Sequence, residues 1–221
     1  MHVRFDTDCI NFLTVNDKPT FYKDFDGLMA DVINKRNIDV MEYSVNNKYL
    51  RAIKKCKGVH QKKEVEFEYH FLEKPAGVNK IYCVGSNLKK KMVKIDMPYT
   101  VMIVKLLYMN GVYLKLGDRL FHTNEPIKKD LSNFLWEWGL SNVYDGTYHI
   151  CWGKEKLPAI DNQNSYQYID EFFLGVNNND LLRNKEINWA KMSTDVVHTL
   201  DIKKLKRLPY KLNSVIGMNE F

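Results

Sequence analysis

The sequence predicts an α+β protein: an antiparallel meander sheet covered by helices, with a strand and a helix added at the N-terminus. Three observations carry that expectation. Apolar residues recur at the helical period across FYKDFDGLMADVINKR, and EVEFEYHFL alternates charged and apolar residues at period two. The nearly continuous apolar run PYTVMIVKLL is followed by Asn110 and Gly111, the dipeptide of a tight hairpin.

At the N-terminus VRFDTDCINFLTV reads as a strand and NDKP as a turn. In the helix that follows, Phe21, Phe25, Leu28, Val32 and Ile33 share one face. A second helix is expected across SVNNKYLRAIKKCKG, with Ser44 as N-cap, Cys56 in the last turn and Gly58 as the stop. These elements make an N-terminal unit over residues 1–60, ahead of a core over 61–221. The core opens with a strand that puts Val65, Phe67, Tyr69 and Phe71 on one side. Glu64, Glu66, Glu68 and His70 fall on the other, which makes His70 one more polar residue of an outer face.

KPAGVN then turns, and KIYCVG, MVKIDM, PYTVMIVKLL and VYLKL follow as meander strands, the apolar third of them central. KKDLSNFLWEWGL is expected as a short helix or structured loop with Trp136 and Trp138 in the core. YQYIDEFFLGV reads as a helix, and STDVVHTLDIKKLKR as a capped helix ahead of Pro209. A meander has an apolar face, and helices are what would cover it.

Composition narrows the function classes. With 221 residues, 45% of them hydrophobic and 27% charged, the chain is that of an ordinary globular protein, able to bury roughly 70% of its unfolded surface. Cys9, Cys56, Cys83 and Cys151 form no CxxC pair and the N-terminus carries no secretory signal, so free thiols in a reducing cytoplasm are expected. No apolar run is long enough to span a membrane. The formal charge of +6 is concentrated in lysine runs interleaved with acids, which reads as solvated surface. Motifs for nucleotide, dinucleotide, zinc-peptidase and α/β-hydrolase chemistry are absent from the sequence, and the six histidines are far apart, so no metal and no cofactor is expected.

What remains is the decapeptide NVYDGTYHIC. A cysteine acts as a nucleophile only where its thiolate is accessible, and Cys151 follows the β-like TYHI and precedes Trp152 and Gly153. The segment resembles the active-site stretch of ubiquitin-conjugating (E2) enzymes, His-Pro-Asn-Val-Tyr, a glycine turn, then Ile-Cys-Leu. Asn142, Val143, Tyr144, Gly146, Ile150 and Cys151 stand in the matching places, while Leu140 and Ser141 replace the His and Pro and the spacing is one residue longer. The order PYTVMIV, NG, HTNEPI, SNV, DG, CWG and DEFF, over residues 98–176, is similar to that of prokaryotic E2 family D, which includes the PRTRC system protein B group.

The resemblance implies the E2 (UBC-like) fold and an enzyme that carries a ubiquitin-like protein as a thioester on Cys151 and transfers it to an amine. Asn142 would donate a hydrogen bond to the oxyanion. Tyr144, Asp145 and His149 are accessory candidates for positioning or deprotonating the amine. The implied partners are a ubiquitin-like protein, an E1-like activating enzyme and a deconjugating protease. The alternatives are a catalytically silent adaptor of the same fold and a basic nucleic-acid-binding protein of a mobile element.

Overall fold

Strand pairing organises most of the described chain. A computed structural model describes residues 9–13, 40–44, 49–84, 90–109, 111–152, 165–174, 178–179 and 192–217. The strands are β1 (Cys9–Leu13), β2 (Val40–Ser44), β3 (Leu50–His60), β4 (Lys63–Lys74), β5 (Gly77–Val84), β6 (Lys90–Met97), β7 (Tyr99–Met109), β8 (Val112–Thr123), β9 (Phe134–Trp136), β10 (Asn178–Asn179), β11 (Val197–Thr199) and β12 (Arg207–Lys211). They form an eight-stranded sheet in the order β1-β2-β3-β4-β7-β8-β9-β12 and a four-stranded sheet in the order β10-β5-β6-β11. One α-helix, α1 (Gln167–Leu174), is found among the described residues.

The expected α+β fold, an E2-like meander covered by helices, is therefore incorrect: the described chain is mainly β, and its second layer is a sheet. Proline explains where the meander breaks. Pro75 follows β4 and Pro98 separates β6 from β7, so ladder donors are missing at both roots of the β5–β6 hairpin. That hairpin leaves the large sheet, and β4 pairs directly with β7, from Glu66 opposite Tyr108 to Lys74 opposite Thr100.

The helix expected across residues 44–58 is strand β3 over most of its length. β3 pairs with β2 on one side and with β4 on the other, so strand pairing overrides the local 3.6-residue spacing of Tyr49, Leu50 and Ile53. Its partner β4 is reached through Gln61 and Lys62, both at positive φ, a two-residue turn of type I′ geometry without its usual Asn-Gly. The expected boundary between residues 60 and 61 falls in this turn. The helix expected over 193–207 is likewise replaced, by β11 beside β6, a 3-10 turn (Ile202–Lys204) capped by the Asp201 carboxylate, and the start of β12. The helix expected from Phe21 to Arg36 lies outside the described residues.

The large sheet is buried on both faces. Leu72, Met102, Val104, Leu106 and Leu120 form one core with Ile81, Cys83, Val93 and Ile95 of the small sheet and with Phe172 and Phe173 of α1. Tyr69, Phe71, Val101, Ile103 and Phe121 form the other, closed by Leu131, Leu135, Leu208, Leu212 and Val215. His70 is consequently not on a solvated face, and both it and Glu68 are buried. Trp138 is in the core as expected, and Trp136 is partly exposed. Among the described residues no helix is long and apolar enough to cross a membrane.

Candidate functional site

The decapeptide folds as a short irregular hairpin against β8. Val143 and Ile150 form an isolated antiparallel bridge, the Tyr144 N–H donates to the His149 carbonyl at 2.9 Å, and the Tyr148 N–H donates to the Tyr144 carbonyl at 2.8 Å. Gly146 turns the chain at φ 81°. Asn142 and Tyr148 also sit in the left-handed region, at 65° and 60°, a conformation that asparagine tolerates and tyrosine adopts rarely. Such backbone persists only where its surroundings fix it. Here the Leu120 N–H donates to the Tyr148 carbonyl at 3.1 Å and anchors the hairpin to β8.

Cys151 is half-buried, and its N–H donates to the Asn142 carbonyl at 2.8 Å, so the two residues face each other across the hairpin base. The Asn142 side chain is buried. Tyr144 is exposed, and its proximity to the Cys151 thiol raises the tyrosine above its ordinary pKa. Asp145 is exposed on the turn. His149 donates through Nδ1 to the Asp118 carbonyl at 2.8 Å and so holds the hairpin to the sheet. Four of the five residues singled out in the sequence are thus tied to this hairpin by hydrogen bonds, and Asp145 lies at its tip.

Sequence reasoning missed Asp118, a buried carboxylate on β8 beneath the hairpin. It accepts from the Ile150 N–H at 3.0 Å and the Trp152 Nε1–H at 2.6 Å, and Lys115 pairs with it. The Lys115 ammonium also lies over the Trp152 and Tyr168 rings, 4.8 and 5.0 Å from their centroids. Trp152 meets Tyr168 and Phe172 of α1 edge-on, at 5.8 and 6.0 Å between centroids. Burial first, and the Asp118 charge second, push the Tyr168 hydroxyl up to about 12. Only the spacing of Asp118 from the NG hairpin signalled it, and that spacing has no meaning until β8 is known to run beneath residues 148–152.

A second polar cluster lies in the core. Glu68, His70 and Ser165 are all buried; His70 Nε2 is 2.9 Å from Glu68 Oε2, and its Nδ1 is 2.7 Å from the Ser165 hydroxyl. With Glu68 ionised, Nε2–H donates to the carboxylate and Nδ1 accepts from the serine. The Tyr113 hydroxyl and Lys55 complete the carboxylate's partners. Burial acts to raise the Glu68 pKa, but His70, Lys55 and Tyr113 together outweigh it and hold the group below its ordinary value. The connectivity is that of a serine relay, yet Ser165 has no exposed surface from which to reach a substrate. It fastens the start of α1 to β4. Ser165→Ala is expected to cost about 1–3 kcal/mol, because it removes the partner of a buried ring nitrogen; urea denaturation should show an earlier midpoint with an unchanged slope.

Among the described residues no group of three or more His, Cys, Asp or Glu is placed to hold a metal ion. Fold and site together define a two-sheet β protein with a half-buried cysteine on a strained hairpin. No protein-family model, no curated protein and no solved structure matches the chain.

Proposed function

We propose that the chain is an acyl carrier of the ubiquitin-conjugating kind, related to prokaryotic E2 family D, and that it works in the reducing cytoplasm. Cys151 takes the C-terminal carbonyl of a ubiquitin-like protein from an E1-like activating enzyme as a thioester and passes it to an amine. A deconjugating protease is the matching partner. The reading rests on the site and not on the architecture, since the sheets differ from the fold the sequence implied.

The observation that carries it is a half-buried cysteine whose backbone N–H is locked to the Asn142 carbonyl, with the exposed Tyr144 beside it on the same hairpin. When an amine attacks a thioester, charge develops first on the carbonyl oxygen and then on the departing sulfur. The Asn142 amide is the candidate donor to the oxygen, and the Tyr144 hydroxyl is the candidate donor to the sulfur. Asp145, on the exposed turn, offers a carboxylate to an approaching lysine.

The test is incubation of the chain with an activating enzyme, ATP and a ubiquitin-like protein, read by intact mass and by non-reducing gel. An adduct of the modifier's mass is expected, removed by dithiothreitol and abolished by Cys151→Ala. If the activating enzyme forms its own thioester and the chain forms none, Cys151 is structural and the protein is a binding module.

A further inference from the structure

Asp118 grips the segment that carries Cys151 at three places. Its Oδ1 accepts from the Ile150 N–H at 3.0 Å, its Oδ2 accepts from the Trp152 Nε1–H at 2.6 Å, and its main-chain carbonyl accepts from His149 Nδ1 at 2.8 Å. One buried carboxylate therefore holds both the residue before Cys151 and the residue after it. Cys151 is meanwhile fixed from the opposite side, through its N–H to the Asn142 carbonyl.

A buried charge is a costly way to fasten a strand, and buried ion pairs are weak contributors to stability. What this arrangement provides is a fixed backbone on either side of one sulfur. The grip continues into α1, because the Trp152 ring that Asp118 holds packs edge-on against Tyr168 and Phe172. Resting on the acyl-carrier reading above, we infer that Asp118 is the positioning residue of Cys151, which sets where the thioester carbonyl stands relative to Asn142 and Tyr144 while an amine attacks. Asp118 touches neither the sulfur nor the acyl group. It acts through Ile150 and Trp152, and its contribution is the orientation that a freely rotating thioester lacks.

The experiment avoids the activating enzyme. A peptide ending in Gly-Gly, presented as its mercaptoethanesulfonate thioester, is used to load the full chain, and loading at other thiols is subtracted with Cys151→Ala. The Cys151 thiolate attacks the carbonyl carbon, a new C–S bond forms, and mercaptoethanesulfonate leaves with the electron pair of the old bond. Free lysine then discharges the carrier: its amine nitrogen bonds to the carbonyl carbon, the Cys151 sulfur leaves as thiolate, and the amine proton passes to solvent.

Asp118→Asn leaves one side-chain acceptor where two are used. It is expected to slow discharge at saturating lysine by roughly ten-fold or more, with the half-saturating lysine concentration unchanged. Discharge to dithiothreitol, whose thiolate is a far stronger nucleophile and needs no positioned amine, should change by less than about two-fold. Trp152→Phe removes the Oδ2 bond while keeping an aromatic ring against α1, so it should fall between the two, and it decides the matter if Asp118→Asn does not fold. Equal lysine rates in all three proteins overturn the positioning role and leave the carrier reading intact. Equal slowing of lysine and dithiothreitol discharge reduces Asp118 to a structural residue and overturns the inference. A wild-type chain that cannot be loaded at Cys151 overturns both.

Discussion

Trp138→Ala is expected to destabilise the protein by about 3–5 kcal/mol, the range for deleting a large buried aromatic, and to lower Tm by about 6–20 °C for a chain of this size. The indole is a junction between layers. One face stacks on His122 at 4.6 Å between centroids and 20° between planes, and Phe172 and Phe173 of α1 meet it edge-on at 5.4 and 6.2 Å. Its Nε1 donates to the Ser141 carbonyl at 3.0 Å. Truncation would open a cavity, remove three aromatic contacts and release the residue that precedes Asn142, so loss of stability and loss of Cys151 chemistry should travel together. Trp138→Phe should recover most of the packing and lose the Ser141 bond, at about 1–2 kcal/mol. Trp136→Ala is the control: its side chain is partly exposed, and a cost equal to that of Trp138→Ala would show that the assignment of Trp138 to the core is wrong.

Trp138 also shows what local sequence can convey. Its burial follows from aromatic content, just as α1 follows from the spacing of apolar residues in YQYIDEFFL and the β7–β8 hairpin from an apolar run ended by NG. Each is decided within about ten residues. The errors lie where pairing across the chain decides. Lysines and apolar residues at near-helical spacing formed β3 because strands stand on both sides of it. Alternation places His70 on a wet face because it reports two faces without saying that both are covered. The site divides the same way: the glycine turn and the extended TYHI before Cys151 are legible in their own ten residues, while Asp118 acquires its relation to Ile150 and Trp152 only when β8 runs beneath them.

Stability should also fall as the solution is acidified through the histidine range, and His122 is the expected cause. The imidazole is buried, Nδ1 donates to the Tyr99 carbonyl at 3.3 Å, and Nε2 has no hydrogen-bond partner among the described residues. Burial, only partly offset by the Tyr99 bond, pushes its pKa down from the ordinary 6.5 to about 3. The folded value lies below the unfolded one, so between these limits the unfolded chain binds the proton and the folded chain does not. The stabilising contribution is complete above about pH 6.5 and is lost by up to about 1.4 kcal/mol per pH unit as pH falls toward 3. Glu68, whose pKa is depressed from 4.5, adds a loss of the same sign in a more acidic window, so unfolding free energies measured from pH 7.5 to 5 isolate the histidine. His122→Phe keeps the stack on Trp138 and removes the titration. Its stability should be nearly flat over that interval while the wild type declines by roughly 2 kcal/mol, and parallel curves for the two proteins would place the acid sensitivity elsewhere. At pH 7.5 the variant should differ by no more than about 1.5 kcal/mol, because the lost bond to Tyr99 is partly offset by removal of a buried nitrogen that has no partner. The two proteins should therefore approach and cross on acidification, a sign change that simple loss of packing at position 122 does not produce.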